Sequence, residues 1–143
     1  MENTVFITGG SRGIGAACVQ LFAQQGWQVA FTYNRNEAAA VALAKKLQNG
    51  GGRLLAISCD VAKKEQVDAA FEQARRHFGP ISILVNNAGI AQQKMFCDIT
   101  AQDWDMMFDV NVKGMYHCIQ AALPDMIHLK AGKIVNVSSM WGQ

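Results

Sequence analysis

The sequence predicts an α/β protein, a parallel β-sheet covered by helices on both faces. Two observations carry that prediction. Short β-branched apolar runs alternate with amphipathic helical stretches along the whole chain, and the first run breaks straight into a glycine-rich turn that opens a helix. Strand, helix, strand, helix, repeated, requires right-handed crossovers and therefore parallel pairing. No linker, low-complexity tract or internal repeat interrupts the alternation, so residues 1–143 read as one domain.

The elements follow in order. "TVFIT" (residues 4–8) is a strand-length β-branched run. Ile14, Ala17, Cys18, Leu21 and Phe22 then fall at helical spacing, with Gly26 as a stop. "QVAFTY" is a second strand, followed by an alanine-rich helix from about Asn36 to Asn49 and a "GGG" turn. "RLLAISCDV" reads as a third strand ending in Asp60 and Val61. Val67, Ala70, Phe71, Ala74 and Phe78 form the next helical stripe, stopped by "GP". "ISILVNN" is a fourth strand. Thr100 with Asp103 resembles a capping box and predicts a helix through Trp104 and Phe108. A separate stripe of Val112, Met115, Tyr116, Ile119, Leu123 and Met126 predicts another helix, with Pro124 kinking it or marking its last turns. "GKIVNVSS" is the fifth strand and delivers Ser138 and Ser139 to the sheet's rim.

Composition narrows the class. Half the residues are hydrophobic and 17% are charged, and the net charge is +2. That charge is too small to argue for nucleic acid or an anionic membrane, and no Lys/Arg block appears. Cys18, Cys59, Cys97 and Cys118 are far apart and show no metal-ligand spacing, so reduced thiols and no metal site are expected. No apolar run approaches the ~18 residues needed to span a bilayer. The N-terminus lacks the basic and apolar regions of a signal peptide. A soluble, cytoplasmic protein is expected.

"TGGSRGIG" carries the first chemistry. Gly9, Gly13 and Gly15, between a strand and an amphipathic helix, permit a tight turn, close approach to a pyrophosphate and close helix–strand packing. The helix N-terminus adds unpaired N–H groups for the phosphates. The reading is a Rossmann-type, doubly wound parallel sheet that binds a dinucleotide.

The loop spacing, Gly-x3-Gly-x-Gly, resembles that of the short-chain dehydrogenase/reductase family. Further motifs appear in the family's order along the whole chain. Asp60 and Val61 in "CDV" match its adenine-contacting pair, and "NNAG" (86–89) matches the motif lining the cofactor after the fourth strand. Asn111 in "DVNVKG" matches the catalytic asparagine, and Ser139 in "VNVSS" the catalytic serine. The resemblance implies a cofactor site of Gly9, Ser11, Arg12, Gly13, Ile14, Gly15, Asp60, Val61, Asn87, Ala88 and Gly89, with Ser139 and Asn111 as catalytic residues.

The end of the second strand bears on the choice between NAD and NADP. An acidic residue there would accept from a ribose 2′-hydroxyl and repel a 2′-phosphate. Here the strand ends "FTYNRNE", with Tyr33 where the acid would fall. Arg12, Asn34 and Arg35 form a 2′-phosphate clamp in this reading, since guanidinium offers planar charge-assisted donors. NADP(H) is the expected cofactor.

In the resembled family a serine polarises the substrate carbonyl, a tyrosine donates the proton, a lysine lowers the tyrosine's pKa, and the asparagine holds a relay water. A tyrosine near pKa 10 needs such a neighbouring cation to work at neutral pH. The family's Tyr-x3-Lys pair lies beyond the serine, and this chain runs only to Gln143. Tyr33 and Tyr116 are followed four residues on by Glu37 and Gln120, not lysine. The expectation is therefore the N-terminal portion of a longer reductase, its sheet truncated after the fifth strand and inactive alone. A non-catalytic dinucleotide-binding module is the alternative of another class. Overall the chain resembles the 3-oxoacyl-[acyl-carrier-protein] reductases of fatty acid biosynthesis. "NNAGIAQQKMFCDIT", "WDMMFDVNVKGMYHC" and "SSMWGQ" resemble more narrowly a group that includes elongation factor P 5-aminopentanone reductases. The substrate is accordingly a small-molecule or carrier-bound ketone. A homo-oligomer, tetramer or dimer, is implied, with the helix around Met115 to Leu123 against a partner subunit.

Overall fold

A computed structural model describes residues 3–139. The strands β1 (Thr4–Ile7), β2 (Gln28–Tyr33), β3 (Arg53–Ser58), β4 (Ile83–Asn86) and β5 (Lys133–Asn136) form one parallel sheet of order β3-β2-β1-β4-β5. The order reverses between β1 and β4. In such sheets a crevice opens at that point beyond the strands' C-terminal ends. Five helices accompany the strands: α1 (Gly13–Gln24), α2 (Glu37–Asn49), α3 (Lys64–Phe78), α4 (Ala101–Phe108) and α5 (Gly114–Leu129).

Strand alternation divides the core into two buried layers. Phe6, Ala30 and Leu84 face α3 and α5, where Val67, Phe71 and Cys118 meet them. Val5, Ile7, Val29 and Phe31 face the other way, toward Val19 of α1 and Ala40 of α2. Phe6 and Phe71 stack with ring centroids 3.9 Å apart. Arg75 of α3 donates to the Asp125 carboxylate of α5 (2.8 Å) and to Ala121 O, and Ile81 N donates to the same carboxylate (2.9 Å). One half-buried ion pair thus joins α3, α5 and the approach to β4.

Several sequence expectations change. β3 ends at Ser58, before Asp60 and Val61. Cys59 N still donates to Tyr33 O (2.9 Å), but Asp60 Oδ1 then accepts from Ala62 N (3.0 Å) and turns the chain out of the sheet. β4 is likewise shorter, Ile83–Asn86. The two helices expected between Thr100 and Met126 form one helical run, with a π-turn over Asp109–Lys113 joining α4 to α5. Such turns occur mostly as single insertions near functional sites.

The inward faces of α1 and α5 also differ from the apolar stripes. Ile14 (64%), Leu21 (57%), Val112 (57%) and Tyr116 (56%) are exposed. Met126 of the stripe is buried as expected, but the other buried positions are Gly15 and Val19 of α1 and Gly114, His117, Cys118 and Ala122 of α5. The reason is close approach. A Cβ on Gly114 would stand 2.7 Å from Val61 Cγ2, and one on Gly15 would overlap Gly9 O. Pro124 lies inside α5, which runs on to Leu129. β5 is an edge strand among the described residues, with Val135 exposed.

Candidate dinucleotide-binding site

Thr8 is the hub from which the site is built. It is buried at the end of β1, and its hydroxyl accepts from both Asn87 N (3.0 Å) and Ala88 N (2.9 Å). Asn87 Nδ2 returns a bond to Gly9 O (3.1 Å), while Gly9 N and Gly10 N donate to the hydroxyl and carbonyl of Thr32 (3.3 and 2.9 Å). The loop after β1 is thereby fastened both to the end of β2 and to the loop after β4. Gly9 has φ +66°, and an added Cβ would stand 3.0 Å from Ala88 Cα, so both conformation and space demand glycine. At the N-terminus of α1, Arg12 is extended and supplies no side-chain cap, leaving the first-turn N–H groups without a side-chain acceptor.

A second support holds the turn after β3. Asp60 N donates to Gln66 Oε1 (2.8 Å), and the buried His117 donates through Nδ1 to Val61 O (2.8 Å). A third holds the loop after β4. Asn111 in the π-turn accepts from Ile90 N (2.8 Å) and donates to Ile90 O (2.9 Å), so its side-chain amide is committed at both ends. Farther along, Lys94 pairs with Asp103 (2.7 Å), which also completes the capping box with Thr100. The Lys94 ammonium, then the Thr100 N–H, hold the Asp103 carboxyl down at about 2.

These loops enclose a cleft of about 780 Å³. Gly9, Ser11, Arg12, Gly13, Asn34, Arg35, Asp60, Val61, Asn87, Ala88 and Gly89 all line it. Ile14 and Gly15 do not: Ile14 points outward, and Gly15 is buried where helix and loop touch. Asn111 reaches the wall through Ile90, which does line it. Ser139 follows β5 and is exposed. Its neighbour strand β4 pairs with β5 up to Asn86–Asn136, beyond which Val137 N donates to Asn86 O (2.9 Å). Met140–Gln143, the end of the "SSMWGQ" stretch, lie outside the described residues.

Sequence reasoning missed Thr8, Thr32 and His117, and the cleft wall supplied by Gln102, Asp105, Met106, Asp109 and Val110. A threonine ending a strand just before the glycines was the available signal for Thr8. Nothing in the local pattern places α4 against the cleft. Cys59, also on the wall, has its thiol pushed up to about 12, first by burial and then by the Asp60 charge, so it stays protonated. Cys118 is likewise pushed up to about 12, by burial and then by Cys59. Among the described residues no group of His, Cys, Asp and Glu is placed to hold a metal ion, and no helix is long and apolar enough to cross a membrane.

The residues present fit a dinucleotide. A glycine turn leads into a helix start without a side-chain cap, and Arg12 and Arg35 stand on the cleft wall with no ion-pair partner among the described residues. A cleft so lined stands at the reversal of a doubly wound sheet, the place where open α/β sheets of this class take their ligands. The short chain dehydrogenase family matches residues 3–143, and the chain belongs to it. It is similar to the 3-oxoacyl-[acyl-carrier-protein] reductase FabG of Staphylococcus aureus, with 35% identity over 99% of this chain and 58% of the relative. It is also similar to a short-chain dehydrogenase/reductase from Serratia marcescens (37% identity, TM-score 0.89, 96% of this chain and 55% of that one). A metagenomic blue fluorescent protein in complex with NADPH matches at 38% identity and TM-score 0.87, over 96% of this chain and 56% of that one. The chain thus spans a little over half the length of these proteins.

Proposed function

We propose that the whole protein reduces a ketone to a secondary alcohol with NADPH, and that its substrate is a 3-oxoacyl thioester on an acyl carrier. The observation that carries the cofactor half is the end of β2. Tyr33, Asn34 and Arg35 line the cleft there beside Arg12, and no carboxylate stands at that position. In this reading Arg12 and Arg35 take the 2′-phosphate, the start of α1 takes the pyrophosphate, and Asp60 and Val61 take the adenine. NADP(H), when bound, supplies the hydride. Asn87 to Gly89 shape the far end of the cleft, Asn111 holds that loop through Ile90, and Ser139 orients the substrate carbonyl. The similarity to FabG supports the carrier-bound substrate. The exposed Trp104, Phe108, Val112 and Tyr116 support assembly into a homo-oligomer, and a cytoplasmic location is part of the same proposal.

The test is a titration of the whole protein with NADPH and NADH, then turnover of a 3-oxoacyl thioester. Wild type should favour NADPH. Arg12→Ala should weaken NADPH about tenfold to a hundredfold, the loss of one charge-assisted contact, and leave NADH nearly unchanged. Ser139→Ala should lower kcat by orders of magnitude with NADPH affinity retained. Equal affinity for the two nucleotides in wild type defeats the cofactor assignment, and full turnover in Ser139→Ala defeats the catalytic one.

A further inference from the structure

The turn after β3 is fastened from two directions. From its own side, Asp60 N donates to Gln66 Oε1 and Ala62 N donates to Asp60 Oδ1. From the other side, α5 meets it at two buried positions one turn apart. Gly114 lies so close that a Cβ would stand 2.7 Å from Val61 Cγ2. His117 Nδ1 lies 2.8 Å from Val61 O, with the imidazole buried. A carbonyl oxygen only accepts, so Nδ1 carries the proton. His117 is not on the cleft wall, while Cys59, Asp60, Val61 and Ala62 are.

We propose that His117 is a positioning residue for the adenine end of the cleft, holding the Cys59–Ala62 turn through the Val61 carbonyl. The inference rests on the reading that this turn receives the adenine. Val61 is itself buried, and its carbonyl lies beyond the end of β3, where no ladder partner follows. Removing the imidazole N–H leaves that carbonyl unsatisfied against apolar surroundings. The turn then shifts toward other donors and carries the Asp60 carboxylate with it. The adenine half of the ligand should feel the change, and the reacting end should not.

The experiment compares wild type, His117→Leu and His117→Asn in the whole protein, since asparagine Nδ2–H stands about where imidazole Nδ1–H does. The readouts are the Kd of adenosine 2′,5′-bisphosphate and the KM and kcat with NADPH. His117→Leu should raise Kd and KM about fivefold to tenfold with kcat unchanged, and His117→Asn should stay within about twofold of wild type. Wild-type affinity in His117→Leu overturns the inference, as does an asparagine variant as weak as the leucine one, which would make ring volume the cause. Should His117→Leu fail to fold, ¹⁵N spectra of the wild-type imidazole decide. An Nδ1–H tautomer whose signals move as adenosine 2′,5′-bisphosphate is added supports the inference, and an Nε2–H tautomer or unmoved signals overturns it. Wild type that binds neither nucleotide removes the cofactor reading itself, a result distinct from any difference among the variants.

Discussion

The centre of the sheet and its β5 side are secured by different means. Around β1 and β2 nearly every strand residue is buried, and the loops beyond them are tied by hydrogen bonds among Thr8, Thr32 and Asn87. From Gly89 to Gln102 every residue is exposed, and β5 buries none of its residues fully. That second region is held mainly by point fastenings: Asn111 on Ile90, Lys94 on Asp103, and the capping box. The difference teaches that the β1–β2 region is organised by its own core. The stretch from Gly89 through α4 is organised by polar clasps and presents large apolar side chains outward.

Paired phenylalanine truncations should give the largest effect. Phe71→Ala, at a fully buried stack, should cost about 3–5 kcal/mol in denaturant unfolding of the whole protein. Phe108→Ala, half exposed beside Trp104, should cost much less, about 1 kcal/mol or below, unless another subunit covers it. Equal losses would break the comparison and show that the outward face is covered. Thr8→Val comes next. It keeps the shape but strips two backbone N–H groups of their acceptor, so about 1–3 kcal/mol should be lost. NADPH affinity should fall with it, because the loops after β1 and β4 part. Unchanged stability and affinity would show that the hub is dispensable.

The smallest effect belongs to the clasp on the exposed side. Asp103 is held at about 2 against an ordinary 3.8. Its folded pKa is depressed, so its contribution is complete above the unfolded pKa and is lost as pH falls through about 2. A carboxyl ¹³C titration should find that low midpoint in wild type. Lys94→Ala should move it upward toward 3.8, since the ammonium is the largest cause. A midpoint unaffected by the substitution would leave the capping box alone as the reason.

Much of the site was legible because its requirements are local. Glycine at 9 and 13 answers positive φ angles, Gly79 ends α3 in the same way, and Thr100 with Asp103 forms the capping box its spacing announces. The strand–helix alternation likewise dictates the parallel doubly wound sheet through the handedness of its crossovers. Tertiary structure decided which helix face turns inward and which polar groups meet. Hydrophobic spacing weighs bulk and so points to Ile14, Leu21, Val112 and Tyr116. Burial depends instead on how near a helix can come to the sheet and its loops, which selects Gly15, Gly114 and Ala122. Thr8 with Asn87 and His117 with Val61 are partners 79 and 56 residues apart, and no local pattern encodes such pairs. The folded sheet brings their loops together, and burial then requires each polar group to find a partner.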